Sequence, residues 1–349
     1  MDPLVYFYPT GHEAHFEPGH PERPERVEAI RSALVDQNWW EKYPKLDPLN
    51  VPDEILKSIH SAFFLDALQK ICSRGLHFDA DTYTTPASWD LALRAAGGAL
   101  RIADEVWERR ADKGFALTRP PGHHATRSRA MGFCLLNNIA LAAEYLIKIK
   151  GAHRLAIIDL DLHHGNGTQE IFYERRDVFY ISTHQSPLYP GSGWIDEVGS
   201  GEGKGFTANF PLPPFSGDGA FKAVIDHAVF PLLENFSPEM ILVSYGFDPH
   251  WKDPLGSLLL TARGYGTLIR KLVDWSNVKC QGKLALILEG GYDLEAAQRC
   301  SISVVAALLY ETIPDFPADD PGLYGYRESN AWKNVLHDAL KLWNLSDKL

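Results

Sequence analysis

Short apolar runs bounded by glycine, proline or polar residues recur along the chain, over residues 4–8, 115–118, 155–159, 178–182, 240–245 and 284–288. Their length and their branched aliphatic content predict buried β-strands. Between them, apolar residues return every three or four positions over 21–35, 88–109, 137–148, 219–234, 261–273 and 294–310, and this spacing predicts helices. Strands that alternate with helices build a parallel sheet covered on both faces. The fold class is therefore α/β, with a central, mainly parallel sheet flanked by helices on both sides. In such sheets ligands bind beyond the carboxyl ends of the strands. Residues 185–214, rich in proline and glycine, break the alternation and read as a long irregular loop of the kind that forms a binding wall or lid. No linker or repeat divides the 349 residues, so residues 1–349 are expected to form a single domain.

Composition narrows the function classes. A formal charge of −11 argues against a generic nucleic-acid or membrane-surface binder, which would present a basic excess or patch. It leaves cationic substrates open. Cys72, Cys134, Cys280 and Cys300 stand singly, without the spacing of a thiolate zinc site or a disulfide framework, so buried reduced thiols are expected. The N-terminal residues lack a basic region followed by a long apolar stretch, and no segment reaches the apolar length of a membrane helix. A cytoplasmic location is the expectation that follows.

The segment hardest to explain as structure alone is 157–168, Ile-Ile-Asp-Leu-Asp-Leu-His-His-Gly-Asn-Gly-Thr. An apolar strand does not run into buried carboxylates unless a metal or hydrogen-bonding partner compensates them. With the two-residue period of a strand, Asp159, Asp161 and His163 fall on one face, about 6.6 Å between successive members. Asp161 and His163 could share one ion, with Asp159 a step back, placed to orient another group. His164 points the other way, as a packing residue, and Gly165 and Gly167 read as a sharp turn. The plain alternative is a strand end with solvated charges.

Other strand ends carry chemistry too. Arg-Pro-Pro-Gly-His-His follows one at 119–124, Gly-Phe-Asp another at 246–248, and Glu-Gly-Gly-Tyr a third at 289–292. His123, His124, Asp161, His163, Asp248 and Tyr292 thus meet at one end of one sheet. Two aspartates and a histidine leave a zinc-sized cation one open position, which marks a catalytic site. Two carboxylates also neutralise a divalent charge, so nearby bases must share the activation of water. His123 and His124 suit that task, one oriented by a carboxylate such as Asp159 and the other by Asn166. A carboxylate favours the imidazolium and an amide adds no charge, so the two histidines should differ in role. Tyr292 would donate its hydroxyl to a developing oxyanion.

These motifs, with Gly-Phe-Cys-Leu-Leu-Asn-Asn at 132–138 and Gly-His-Pro-Glu-Arg-Pro-Glu-Arg at 19–26, resemble the histone deacetylase superfamily, in particular its class II and bacterial amidohydrolase branch, over nearly the whole chain. Asn166 stands where class I members usually carry aspartate. The resemblance implies an arginase/deacetylase-like fold and a catalytic domain spanning 1–349. It implies catalytic roles for His123, His124, Tyr292, Asp159 and Asn166, and one catalytic Zn2+ on Asp161, His163 and Asp248. It further implies one or two structural K+ ions. One is held by Asp159 and Ser182 with backbone oxygens of Asp161, His163 and Thr183, and a second by backbone oxygens near Phe172, Arg175 and Val178. Gly132, Phe133 and Tyr189 match the walls of a narrow acyl-lysine tunnel, Leu255 and Asp81 its rim, and Arg26 an internal cavity for departing acetate; core packing and a surface charge are the plain readings of the aromatics and the arginine. The activity implied is zinc-dependent hydrolysis of N-ε-acyl-lysine, foremost acetyl-lysine, in a peptide or protein. Acetylpolyamines or other small N-acyl amines are the alternative substrates. Leu255 weighs against them, because polyamine-specific relatives can carry glutamate there. A non-catalytic acyl-amide binding module is the reading from a different class.

Overall fold

The computed structural model describes residues 1–345, so the last four residues of the expected 1–349 domain lie outside the described residues. Seven strands form one sheet: β1 (Val5–Phe7), β2 (Lys113–Ala116), β3 (Leu155–Asp159), β4 (Val178–Gln185), β5 (Thr207–Leu212), β6 (Met240–Tyr245) and β7 (Leu284–Leu288). Their order is β1-β2-β7-β6-β3-β4-β5, and every pairing is parallel. The strands are apolar because both faces are covered. Along β3, Ala156 and Ile158 enter one core with Val27, Leu268 and Val304 from the helices Glu25–Asp36, Ala262–Lys279 and Leu294–Leu308. Leu155 and Ile157 enter the other core with Leu68, Ala99 and Leu141 from the helices Ala62–Ser73, Ser88–Trp107 and Asn138–Lys148. Alternate side chains of a strand point to opposite faces, so one strand feeds two cores. All four cysteines are buried and free. No described helix is long and apolar enough to cross a membrane.

Several expectations are corrected. Residues 185–214 are not wholly irregular: β4 runs on to Gln185, and β5 adds an edge strand. Pro211 within β5 hid it, since proline lacks the ladder donor and is tolerated only at an edge or bulge. The strand bearing the 157–168 motif stops at Asp159, so Asp161 and His163 sit in the following loop. Residues 219–234 form a broken helical run, Asp218–Val224 and Phe230–Phe236, joined by a π turn over Ile225–Val229. Pro231, without an N–H and with a ring that crowds the preceding turn, accounts for that irregularity. The helices Asp53–Ile59, Ala62–Ser73, Asn166–Phe172 and Trp332–Leu342 were not expected, although Ala62–Ser73 and Trp332–Leu342 are amphipathic.

Candidate active site

Three neighbouring strands share a polar row at the level where β3 ends, because register places Asp159 of β3 opposite Ser182 of β4 and Ser244 of β6. Beyond the row, the loops after β2, β3, β6 and β7 converge. Glu289, just past β7, accepts hydrogen bonds from the backbone N–H groups of Gly122 (2.6 Å) and His123 (3.1 Å) and from Ser244 Oγ (3.0 Å). It pins the histidine loop to the sheet. Its motif was legible, but its role was not.

His123 Nδ1 lies 3.1 Å from Asp159 Oδ2, and His124 Nδ1 lies 2.8 Å from Asn166 Oδ1. The two rings are adjacent, 4.0 Å between centroids, yet their electrostatics diverge. Burial opposes the His123 imidazolium, but the charges of Asp161 and Asp159 outweigh it and push its pKa up to about 10. For His124, burial and the neighbouring His123 and His163 charges hold the pKa well below the usual histidine value. The two rings thus favour opposite charge states.

The glycines of the motif do not serve a left-handed turn. Gly165 has φ −74°, and a Cβ there would stand 2.1 Å from Asp159 Oδ2 and 2.6 Å from Tyr180 Oη. At Gly167 a Cβ would meet the Ala125 carbonyl oxygen at 2.3 Å. Close approach, not backbone freedom, selects glycine here. His164 bonds Ser192 Oγ (2.9 Å) and Gln169 Oε1 (3.0 Å), away from the cluster.

Asp161, His163 and Asp248 are buried and offer ligand atoms all within 4.8 Å of one another. The donor set fits a divalent cation on three observations. Asp248 Oδ2 is buried without a hydrogen bond. Burial and the nearby Asp161 charge push the Asp248 carboxyl up to about 7, the repulsion a shared cation relieves. Finally, Gly246 and Gly290 leave room for the carboxylates: a Cβ would stand 2.0 Å from Asp161 Oδ2 at the first and 2.2 Å from Asp248 Oδ2 at the second.

A cavity of about 340 Å3 leads from the surface to His124, His163 and Tyr292. Phe133 and Tyr189 line it, with Gly132, Leu188 and Leu255, and the carboxylates of Asp79 and Asp81 stand at its exposed side. Phe133 packs edge-on to Tyr292 (5.7 Å) and Tyr189 edge-on to His124 (5.2 Å), so neither ring belongs to the two main cores. Gly132 has φ +55°, and a Cβ there would press on the His124 ring at 2.5 Å. Phe133 itself holds φ +68°, a conformation rarely kept by a bulky residue and concentrated at functional sites.

Arg26 is not a surface charge. It is 1% exposed, donates to the carbonyls of Gly291 (2.6 Å) and Glu289 (2.5 Å), and lies 4.7 Å over the Tyr292 ring. Glu22 binds it at 3.0 Å and Arg119 at 2.8 Å. Burial would raise Glu22, but the Arg119 and Arg26 charges bring it down to about 2. Two buried guanidiniums on one carboxylate leave a net positive charge behind Tyr292. Sequence reasoning missed Glu22 and Arg119, although both lie in motifs it quoted. It also missed Asp253, whose Oδ2 accepts from the backbone N–H groups of Tyr292 (2.6 Å) and Asp293 (3.1 Å).

The residues expected to hold potassium divide into two neighbourhoods. Asp159, Asp161, His163, Ser182 and Thr183 gather where β3 ends beside the middle of β4. Phe172, Arg175 and Val178 lie along the turn from the helix Asn166–Phe172 into β4, where the Phe172 carbonyl accepts the Arg175 N–H at 2.9 Å.

A parallel α/β sheet that gathers a histidine pair, an Asp-His-Asp cluster and a tyrosine at its carboxyl end defines an amide hydrolase of the deacetylase type. The chain belongs to the histone deacetylase family: the histone deacetylase domain matches residues 20–308. A probable deacetylase of Archaeoglobus fulgidus is 42% identical over 294 residues, covering 83% of this chain and 82% of its own length. The histone deacetylase-like amidohydrolase of Pseudomonas aeruginosa is 34% identical over 83% of this chain and 77% of its own. Among solved structures, the crystal structure of the HDA15 HD domain matches with a TM-score of 0.88 at 34% identity, over 98% of this chain and 95% of that one.

Proposed function

We propose that the protein is a zinc-dependent deacetylase acting on N-ε-acetyl-lysine in peptides or proteins. One observation carries the reading: two adjacent buried histidines of opposite electrostatic character stand beside the Asp161, His163 and Asp248 cluster, at the inner end of a cavity walled by aromatic rings. Zinc held by those three residues would polarise the acyl carbonyl and acidify a water molecule. His124, kept neutral, takes the proton of the attacking water and returns it to the leaving amine. His123, kept cationic by Asp159, stabilises charge on the carbonyl oxygen. Tyr292 donates its hydroxyl to the same oxygen, and burial, which pushes its pKa well above the usual value, keeps that proton in place. Phe133 and Tyr189 take the aliphatic stem of the lysine between two apolar faces. The net positive charge of Arg26, Arg119 and Glu22 receives the carboxylate product. Potassium where β3 ends beside β4, and a second ion near Phe172, Arg175 and Val178, would brace the loops that carry Asp161 and His163.

A second substrate class has one observation in its favour. The carboxylates of Asp79 and Asp81 at the cavity's exposed side suit a polycationic acylated amine, while Leu255 offers no charge to read a second amine. Acetate release from a panel of acetyl-lysine peptides and acetylpolyamines, with metal content measured on the same sample, separates the readings. The proposal expects turnover of the peptides, loss of activity on chelation and recovery with zinc. Preference for the acetylpolyamines would replace the substrate, and tight peptide binding without acetate release would make the chain a binding module.

A further inference from the structure

The chain continues past residue 308, where the matched domain ends, as an irregular segment that crosses the molecule before the helix Trp332–Leu342 docks into the core through Leu336, Ala339 and Leu340. Most of this segment is exposed, but Asp319 is only 6% exposed. Its Oδ1 accepts from Trp251 Nε1 at 2.8 Å and lies 2.9 Å from His250 Nε2, while its Oδ2 accepts the Ala262 N–H at 2.7 Å. Tyr324 of the same segment packs on the Trp251 ring, 4.8 Å between centroids. The contacts fall on the loop that begins with Asp248. On its far side, His250 Nδ1 accepts the Lys252 N–H at 3.2 Å, while its Nε2 lies against Asp319 without an aligned hydrogen bond, so Trp251 is the side-chain donor that ties Asp319 to the loop. The His250 carbonyl accepts the Asp253 N–H at 2.9 Å. Asp253 then divides its oxygens: Oδ1 takes the Leu255 N–H at the cavity wall (3.0 Å), and Oδ2 takes the Tyr292 N–H (2.6 Å).

We propose that the segment after residue 308 is a clamp on Tyr292, in which Asp319 is a positioning residue: it fixes the His250–Asp253 turn, and Asp253 fixes the backbone of the tyrosine. The inference rests on the reading of Tyr292 as the oxyanion donor. A hydroxyl displaced by a fraction of an ångström from a developing charge loses most of its effect on rate, while substrate binding by the cavity walls is left intact. The simpler role for Asp319, accepting the first N–H of the helix Ala262–Lys279 beside its Thr261 N-cap, would make its loss a matter of stability alone.

A double-mutant cycle on the full, metal-loaded chain distinguishes them, with an acetyl-lysine peptide as substrate and kcat, KM, melting temperature and zinc content as readouts. Asp319→Ala is expected to lower kcat about tenfold or more, with KM and zinc content unchanged. In the Tyr292→Phe background the same substitution should change kcat by less than about twofold, because the group it positions is gone. Asp319→Asn, which keeps an acceptor for Trp251, should recover most of the loss. If Asp319→Ala does not fold, Trp251→Phe removes one donor to Asp319, keeps the ring and takes its place in the cycle. An equal loss in both backgrounds, or a loss confined to melting temperature or zinc content, overturns the clamp. Full turnover by Tyr292→Phe alone would instead overturn the role of the tyrosine on which the clamp rests.

Discussion

Tyr292 sits on a glycine turn, with a guanidinium over its ring and Asp253 on its backbone N–H. Phenylalanine fills the same space and lacks only the donor. Tyr292→Phe is therefore expected to keep KM and to lower kcat by about 10² to 10³ in a steady-state acetate-release assay. Asp248 tests the ligand set. Its Oδ1 accepts the Leu162 N–H at 3.1 Å, a contact an amide oxygen reproduces, while Oδ2 stands 3.2 Å from His163 Nδ1 without a hydrogen bond. Asp248→Asn should fold with an unchanged melting temperature in the metal-free form and carry little zinc by elemental analysis; full occupancy would remove Asp248 from the set. The identities of His123, His124, Asp161, His163, Asp248 and Tyr292 were legible because charged and polar side chains after apolar strands have few structural explanations. Even the difference between the histidines was legible, from the charge of Asp159 against the neutrality of Asn166. Glu289, Glu22 and Asp253 were not. A buried acid that serves backbone N–H groups or arginines elsewhere in the chain carries no local mark of the partner it serves.

Asn166 opens the helix Asn166–Phe172 and delivers its carbonyl oxygen to His124 as that helix begins. Asn166→Asp would place a carboxylate on the base. The folded pKa of His124 would then rise, and because the base works only when neutral, the acidic limb of kcat/KM against pH should move to higher pH. An unshifted limb would show that His124 is not the group that titrates. The element before it depends on Gly165, where a Cβ would collide with Asp159 Oδ2. Gly165→Ala should push the carboxylate off His123 and lower turnover about tenfold or more, with the helix retained by circular dichroism. The same glycine shows where pattern reading stops. A glycine after a strand suggests a turn, but here φ is −74° and the requirement is space between β3, β4 and the histidine loop. β5 failed for a related reason: its proline reads as a breaker along the sequence, and only its place at the sheet's edge makes it acceptable.

The whole molecule couples the site to stability through buried neutral histidines outside the metal cluster. His60 is fully buried, its Nδ1 2.9 Å from the Thr126 carbonyl and its Nε2 accepting the Asn137 N–H at 3.0 Å, and burial lowers its pKa to about 4. His15, lowered to about 3 mainly by burial, behaves alike. Each folded pKa lies below the unfolded one, so between about pH 6.5 and 4 the unfolded chain binds more protons, and the contribution of each histidine, complete above pH 6.5, is lost as pH falls. The unfolding free energy should decline by about 1.4 kcal/mol per pH unit for each histidine across that window, and His60→Gln should reduce the slope in urea titrations by that amount. The sequence by itself determined what repeats locally: strand and helix periods, the parallel α/β class, and the chemistry placed just past each strand, because the core selects side chains by the geometry of the element that carries them. Tertiary structure alone decided which further groups support them. The hold of Glu289 on the histidine loop, the reach of Arg119 to Glu22, and that of Asp319 to the loop that holds Tyr292 join residues far apart in the chain. Contacts of that separation are fixed by how the layers pack, and no local pattern records them.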